Sequence, residues 1–107
     1  MPNIKFNYLY RDAGNYKKFS SVIFANPQNI ELSVVEDLIG SKLISHHWFY
    51  ADQWQVSDLH SGTWNNELDH TFHEFESVEY TDEVADSSRN LTFFINILKS
   101  LQTPNGL

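Results

Sequence analysis

HTFHEFESVEY, residues 70–80, is the stretch whose reading decides the fold. As a helix it would bring His70 and His73, three residues apart, onto one face. As a strand it would send them to opposite faces. Thr71, Phe72, Phe75, Val78 and Tyr80 are residue types that suit a pleated, half-buried surface, so the strand is the better reading. Its apolar residues nevertheless keep neither a clean period of 2 nor one of 3.6. As a strand, the segment places His70, Glu74 and Glu76 on one face and Asp69, His73 and Phe75 on the other. The wider run ELDHTFHEFESVEYTDE, 67–83, holds seven carboxylates and two histidines and has no Lys or Arg.

Upstream, NIKFNYLY (3–10) alternates, with Ile4, Phe6, Tyr8 and Tyr10 sharing one face of a strand. Leu9 interrupts the polar side. Asp12, Gly14 and Asn15 are turn formers, and FSSVIFAN (19–26) reads as a second strand, giving an antiparallel hairpin with a long tip. Pro27 ends it. Ser33 and Glu36 match a capping box, which predicts a helix over 34–44 with Val34, Val35, Leu38, Ile39 and Leu43 as its apolar stripe. HHWFYADQWQV (46–56) is aromatic and β-prone, enough for one or two strands, with Trp48 and Trp54 assigned mainly to the core. SGTWNN (61–66) is a loop by composition. Leu91, Phe94, Ile95, Leu98 and Leu101 form a helical stripe, capped by Asp86 or Ser88 and stopped by Pro104 and Gly106. The expectation is one α+β domain over 1–107, a small antiparallel sheet in the order β-β-α-β-β-α, with two helices packed on one face.

The chain of 107 residues is 41% hydrophobic and 15% aromatic, long enough for one core and too rich in aromatics for disorder. It has no cysteine, which removes disulfides and thiolate chemistry. No apolar run approaches the roughly 20 residues that span a bilayer, and the first residues do not form a leader; both point to a soluble, cytoplasmic protein without membrane contact. The net charge is −7, unevenly spread. Lys5, Arg11, Lys17 and Lys18 lie in the first thirty residues, whereas ten carboxylates and no Lys or Arg fall between Asp52 and Asp86. That balance argues against nucleic acid and for a protein partner with a basic face. An unpaired edge strand would allow a dimer.

Imidazole beside carboxylate is a competent ligand set for zinc or another divalent transition metal. His70, His73, Asp69 and Glu74, with His60 as a further ligand, would serve a small metal-dependent hydrolase if a bulge or helix near residue 71 let them converge. HTFHE lacks the four-residue histidine spacing of a zinc protease helix. Ser57, Asp58 and His60 supply the residue types of a catalytic triad without a nucleophile elbow. Arg11 among Tyr8, Tyr10 and Tyr16 would suit a small anionic or planar ligand; the competing expectation pairs Arg11 with an acid from 69–83. Trp64, in a polar loop, is a candidate aromatic anchor.

YLYRDAGNYKKF, FANPQNIELS, DLH and ELDHTFHEFESVEYTDE together resemble a group of small uncharacterised bacterial proteins of about this length, over about residues 4–83. The DHxxHEFESVE-like run is the most specific part. The resemblance implies a bacterial, cytoplasmic setting, with mobile or phage-derived DNA as its source, and carries no activity, cofactor or catalytic residue. The leading functional expectation is a non-catalytic, cofactor-free binding domain, of an inhibitor or immunity type. It would work through the acidic, aromatic surface of residues 52–86, with Trp64, Asp69, Glu74, Glu76 and Glu79 as contacts and Arg11 and Tyr8 as a secondary site. The alternative is the metal-dependent hydrolase.

Overall fold

The computed structural model describes residues 2–60, 70–86 and 90–102. Seven elements follow in order: β1 (Asn3–Arg11), β2 (Lys17–Phe24), α1 (Leu32–Lys42), β3 (Trp48–Tyr50), α2 (Ala51–Trp54), β4 (Phe72–Thr81) and α3 (Leu91–Ser100). The class is α+β. The four strands form one antiparallel sheet in the order β2-β1-β4-β3.

The alternation of β1 sets the core. Ile4, Phe6, Tyr8 and Tyr10 face the helices and are 3% exposed at most. β2 returns antiparallel from Lys17 opposite Arg11, after a tip held by the Asp12 carboxylate, which accepts from Tyr16 N–H at 2.9 Å. Asn15 takes the left-handed backbone that this tight return needs, a conformation asparagine tolerates well (φ 66°). Phe6 is the centre of the core, with its ring 5.4–5.9 Å from those of Tyr8, Phe49, Trp54, Phe75 and Phe94. Burying such a ring stabilises a fold by about 1.5–3 kcal/mol.

β4 is a strand, as its composition predicts, and its mixed period has a specific cause. Asn7 faces Ser77 while the next residue, Tyr8, faces Phe75, so Glu76 is one extra residue on β4. This bulge lets the strand restart its alternation. His73 and Phe75 reach the core before it; Val78 reaches the core after it, and the Tyr80 hydroxyl meets α1. Neither period survives across a one-residue insertion, and so the sequence alone read ambiguously.

Three further details differ from expectation. α1 begins at Leu32, so Ser33 lies inside its first turn and no side chain caps it. The Leu32 N–H instead donates to the Tyr80 hydroxyl at 2.9 Å, a long-range substitute for the capping box. The aromatic segment 46–56 yields a three-residue strand and then the one-turn helix α2, whose Gln55 terminus is left-handed. The sheet therefore carries three helices instead of two: side chains of all three enter the single core beside Phe6. Trp54 joins that core, but Trp48 does not; it is half-buried and lies against Phe72.

The stripe of α3 packs as its period predicts, with Leu91, Phe94, Ile95 and Leu98 buried and Phe94 stacked on Phe24. Its N-cap is Asn90, whose side chain accepts from Phe93 N–H at 3.0 Å. Asp86 does not cap it. That carboxylate accepts from Ile23 N–H at 2.8 Å, and the Asp86 N–H donates to Ile23 O at 3.0 Å. The connection from β4 to α3 thereby ties off one end of the β2 edge. Ser88, Pro104 and Gly106 lie outside the described residues.

Candidate functional site

The strand reading of β4 separates the histidines from the carboxylates. His73 points into the core and is 1% exposed. Its Nε2 accepts from the Leu59 N–H at 2.9 Å, which fixes the neutral tautomer with the proton on Nδ1. Nδ1 is buried without a hydrogen-bond partner. Burial lowers the His73 pKa below the ordinary histidine value; the Asp58 carboxylate, 3.5 Å from Nε2, and the Thr71 backbone pull the other way without reversing it. Its aromatic neighbours Tyr8, Tyr10 and Phe49 have ring centroids 5.0–6.0 Å away.

His70 occupies a different niche. Its ring is sandwiched between Tyr10 and Phe72, at 4.8 and 4.0 Å. Nδ1 lies 2.9 Å from Phe72 O and Nε2 lies 2.8 Å from Arg11 O. Carbonyls only accept, so both ring nitrogens are turned to backbone and neither is presented to an ion. His60 stands edge-on to Tyr10 at 5.5 Å, and its N–H donates to the Asp58 carboxylate at 2.8 Å. Tyr10 thus gathers three imidazoles around its ring, as a packing cluster. Its hydroxyl donates to His70 O at 2.8 Å.

The acids of β4 face the opposite side of the sheet. Glu74 accepts a two-point bond from Arg11, with Nε–Oε2 at 2.8 Å and Nη2–Oε1 at 3.2 Å. Arg11 also donates to Asn15 Oδ1 at 2.6 Å and so closes the hairpin tip. Glu79 accepts from Asn7 Nδ2 at 2.9 Å, and Glu76 is the exposed bulge residue. Tyr8 is fully buried on the core side, its hydroxyl donating to Ser57 O at 2.8 Å; burial raises its pKa. Tyr16 is 78% exposed.

These placements bear on two expectations. Arg11, Tyr8 and Tyr16 do not enclose a ligand site, because Tyr8 and Arg11 lie on opposite faces and Arg11 is engaged by Glu74 and Asn15. His70, His73 and Glu74 do not converge either, and among the described residues no group of three or more His, Asp or Glu is arranged to hold a metal ion. The bulge that could have rescued convergence exists, but at Glu76, beyond all three of them. Asp69 and Trp64 lie outside the described residues. Ser57 enters the structure through its carbonyl, as the acceptor for Tyr8.

What the structure does assemble is a cleft of about 510 Å³ at the β3–α2 corner, lined by Tyr50, Ala51, Asp52, Gln53, Val56, Asp58 and Thr71. Ala51 and Val56 are buried and floor it, while Asp52, Gln53 and Asp58 are exposed. Asp58 is placed by its own turn: its carboxylate bonds the N–H two residues on, the Asx-turn that Asp-x-His favours. Asp52 is placed in the first turn of α2. Among the described residues, the lining of the cleft holds two carboxylates and no Lys or Arg. The DLH run was the available signal for half of this cleft. The other half needed α2, which the aromatic composition of 46–56 concealed.

No protein-family model matches the chain, no curated protein matches it, and no solved structure matches it. No helix among the described residues is long and apolar enough to cross a membrane.

Proposed function

We propose that this chain is a non-catalytic binding domain that holds a protein with a basic face through its acidic, aromatic region, residues 52–86. The observation that carries the reading is the cleft at Asp52 and Asp58. Its apolar floor suits the methylene stem of a lysine or arginine and its carboxylates suit the charged head. The sequence supplies no competing Lys or Arg between Lys42 and Arg89. An inhibitor or immunity-type protein, which occupies a positively charged site on another molecule, is the form this reading takes. A bacterial setting accords with the resemblance described above. Trp64, in the neighbouring polar run, is the proposed aromatic anchor.

Catalysis is the weaker reading. A histidine that acts as general base needs a ring nitrogen free to reach a substrate. The His73 Nε2 is taken by the Leu59 N–H, His73 Nδ1 is buried, and both His70 nitrogens face carbonyls.

The test is a titration with an oligolysine peptide, followed by amide shifts and repeated on Asp52→Lys and Trp64→Ala. The expected result is a shift pattern centred on Asp52, Gln53 and Thr71, with affinity reduced roughly tenfold or more by Asp52→Lys and measurably by Trp64→Ala. Binding that appears only at low salt, spreads over all exposed acids and ignores both substitutions would reduce the interaction to diffuse charge and defeat the proposal.

A further inference from the structure

The sheet has two edges of unequal kind. β3 spans three residues, and the chain turns directly into α2. β2 spans eight. Asp86 occupies the outward N–H and C=O of Ile23, which fixes which β2 residues point away from β1. By the two-residue period of a strand, Lys17, Phe19 and Ser21 direct their backbone groups outward as well. Among the described residues, no backbone group from another element meets these three.

The side chains along this open stretch are unlike the rest of the surface. Phe19 is 60% exposed and Tyr16, just before it, is 78% exposed. Lys17 and Lys18 have no ion-pair partner among the described residues. The cations Lys5 and Arg11 are by contrast engaged by Glu83 and Glu74. In a chain of net charge −7, the free end of β2 is thus a local basic and aromatic site.

We propose that the Lys17–Val22 edge of β2 receives an extended acidic segment of a partner protein by strand addition. Backbone bonds to Lys17, Phe19 and Ser21 would supply affinity, and the lysines would select for acid. Lys17 and Phe19 share one face and Lys18 lies on the other, so in an added strand that alternates acidic and apolar residues the glutamates meet Lys18 while the apolar side chains cover Phe19. The same lysines disfavour a second copy of β2 in this place, because self-pairing would crowd four ammonium groups onto one short ribbon. The Asp86 tie sets the far limit of the site at Ile23. This surface is separate from the Asp52–Asp58 cleft and has the opposite charge preference.

The probe is a short peptide alternating glutamate and valine, with its lysine–valine counterpart as control. Hydrogen exchange of individual amides reports on the edge directly. The glutamate peptide is expected to slow exchange at Phe19 and Ser21 by roughly tenfold at saturation, while the lysine peptide leaves both unchanged. Lys17→Glu/Lys18→Glu, two exposed positions, is expected to abolish that protection and to admit the lysine peptide. A Phe19→Pro variant, which removes one outward N–H on an edge that tolerates proline, keeps the test independent of charge. Protection that appears without peptide and rises with protein concentration would assign the edge to a second copy and overturn the proposal. Equal response to both peptides, or shifts confined to the α1–α3 surface, would overturn it too.

Discussion

On one side of β1, Ile4, Phe6, Tyr8 and Tyr10 are packed under three helices and are 3% exposed at most. On the other, one residue along, Lys5, Asn7 and Arg11 reach across to Glu83, Glu79 and Glu74. The inner face is held by aromatic burial and by hydroxyls that find backbone carbonyls. The outer face is held by polar contacts between neighbouring strands, closer to water. Burial of a large ring is worth more than an exposed ion pair and is far less forgiving of displacement. The same backbone therefore carries one face that fixes the register and one that decorates it.

The sharpest way to break this comparison is to shift the register. Deleting Glu79 would carry Tyr80 to the outer face and remove its hydroxyl from the Leu32 N–H. The expected cost is about 2–3 kcal/mol, because the deletion moves only Tyr80 and Thr81 at the end of β4 but removes the bond that serves the α1 start. Deleting Glu76 removes only the bulge. His73, Phe75, Val78 and Tyr80 would then follow one another in a regular alternation, and the expected loss is about 1 kcal/mol. Denaturant titration of both deletions decides the matter. If the Glu76 deletion proved as damaging as that of Glu79, the bulge itself would be required, and register would not be the controlling variable.

That pair of deletions also shows what was legible in the sequence. β1 and α3 declare themselves because each keeps one dominant period, interrupted in β1 at Leu9, and the structure buries Ile4, Phe6, Tyr8 and Tyr10 of the one and Leu91, Phe94, Ile95 and Leu98 of the other. β4 was legible in type but not in facing, because the insertion at Glu76 breaks its pattern halfway. The capping box at Ser33 and Glu36 misled for a related reason. The α1 start is served by Tyr80, forty-eight residues away, which no local window contains. The acidic cleft depends on a four-residue helix too short to leave a period. The histidine–carboxylate cluster looked like a site because sequence proximity ignores the pleat. His73 and Glu74 are adjacent in the chain and on opposite faces of the sheet.

His73 is the polar exception on the inner face, and pH probes it. Burial holds its folded pKa below the ordinary value, so the unfolded chain takes up a proton first as pH falls. The unfolded state then binds more protons than the folded state, and stability drops as pH goes down through about 6.5, by at most about 1.4 kcal/mol per pH unit. Above that pH the group is neutral in both states and contributes no slope. His73→Gln, whose amide oxygen can still accept from Leu59 N–H, is expected to flatten this part of the profile at some cost in packing. A slope in the wild-type chain that survives His73→Gln unchanged would mean that another group supplies it.

The outer face should give the smallest effects, and Arg11 is where that expectation is most exposed to failure. It grips Glu74 at two points and Asn15 at a third, so it links the hairpin tip to β4. Arg11→Met keeps the stem of the side chain and removes the charge. The melting temperature is expected to move less than in either the Glu79 deletion or the His73 variant. The change should concentrate in faster amide exchange at Asn15 and Tyr16, whose bonds to Asp12 the tip depends on. Lys5→Met, at a more open pair with Glu83, should do less still, and its effect should vanish near 1 M salt, where screening acts within about 3 Å. Were Arg11→Met to unfold the chain, the outer face would be holding the sheet. Glu74 would then be a structural residue, and the acidic surface available to a partner would shrink to the cleft at Asp52 and Asp58.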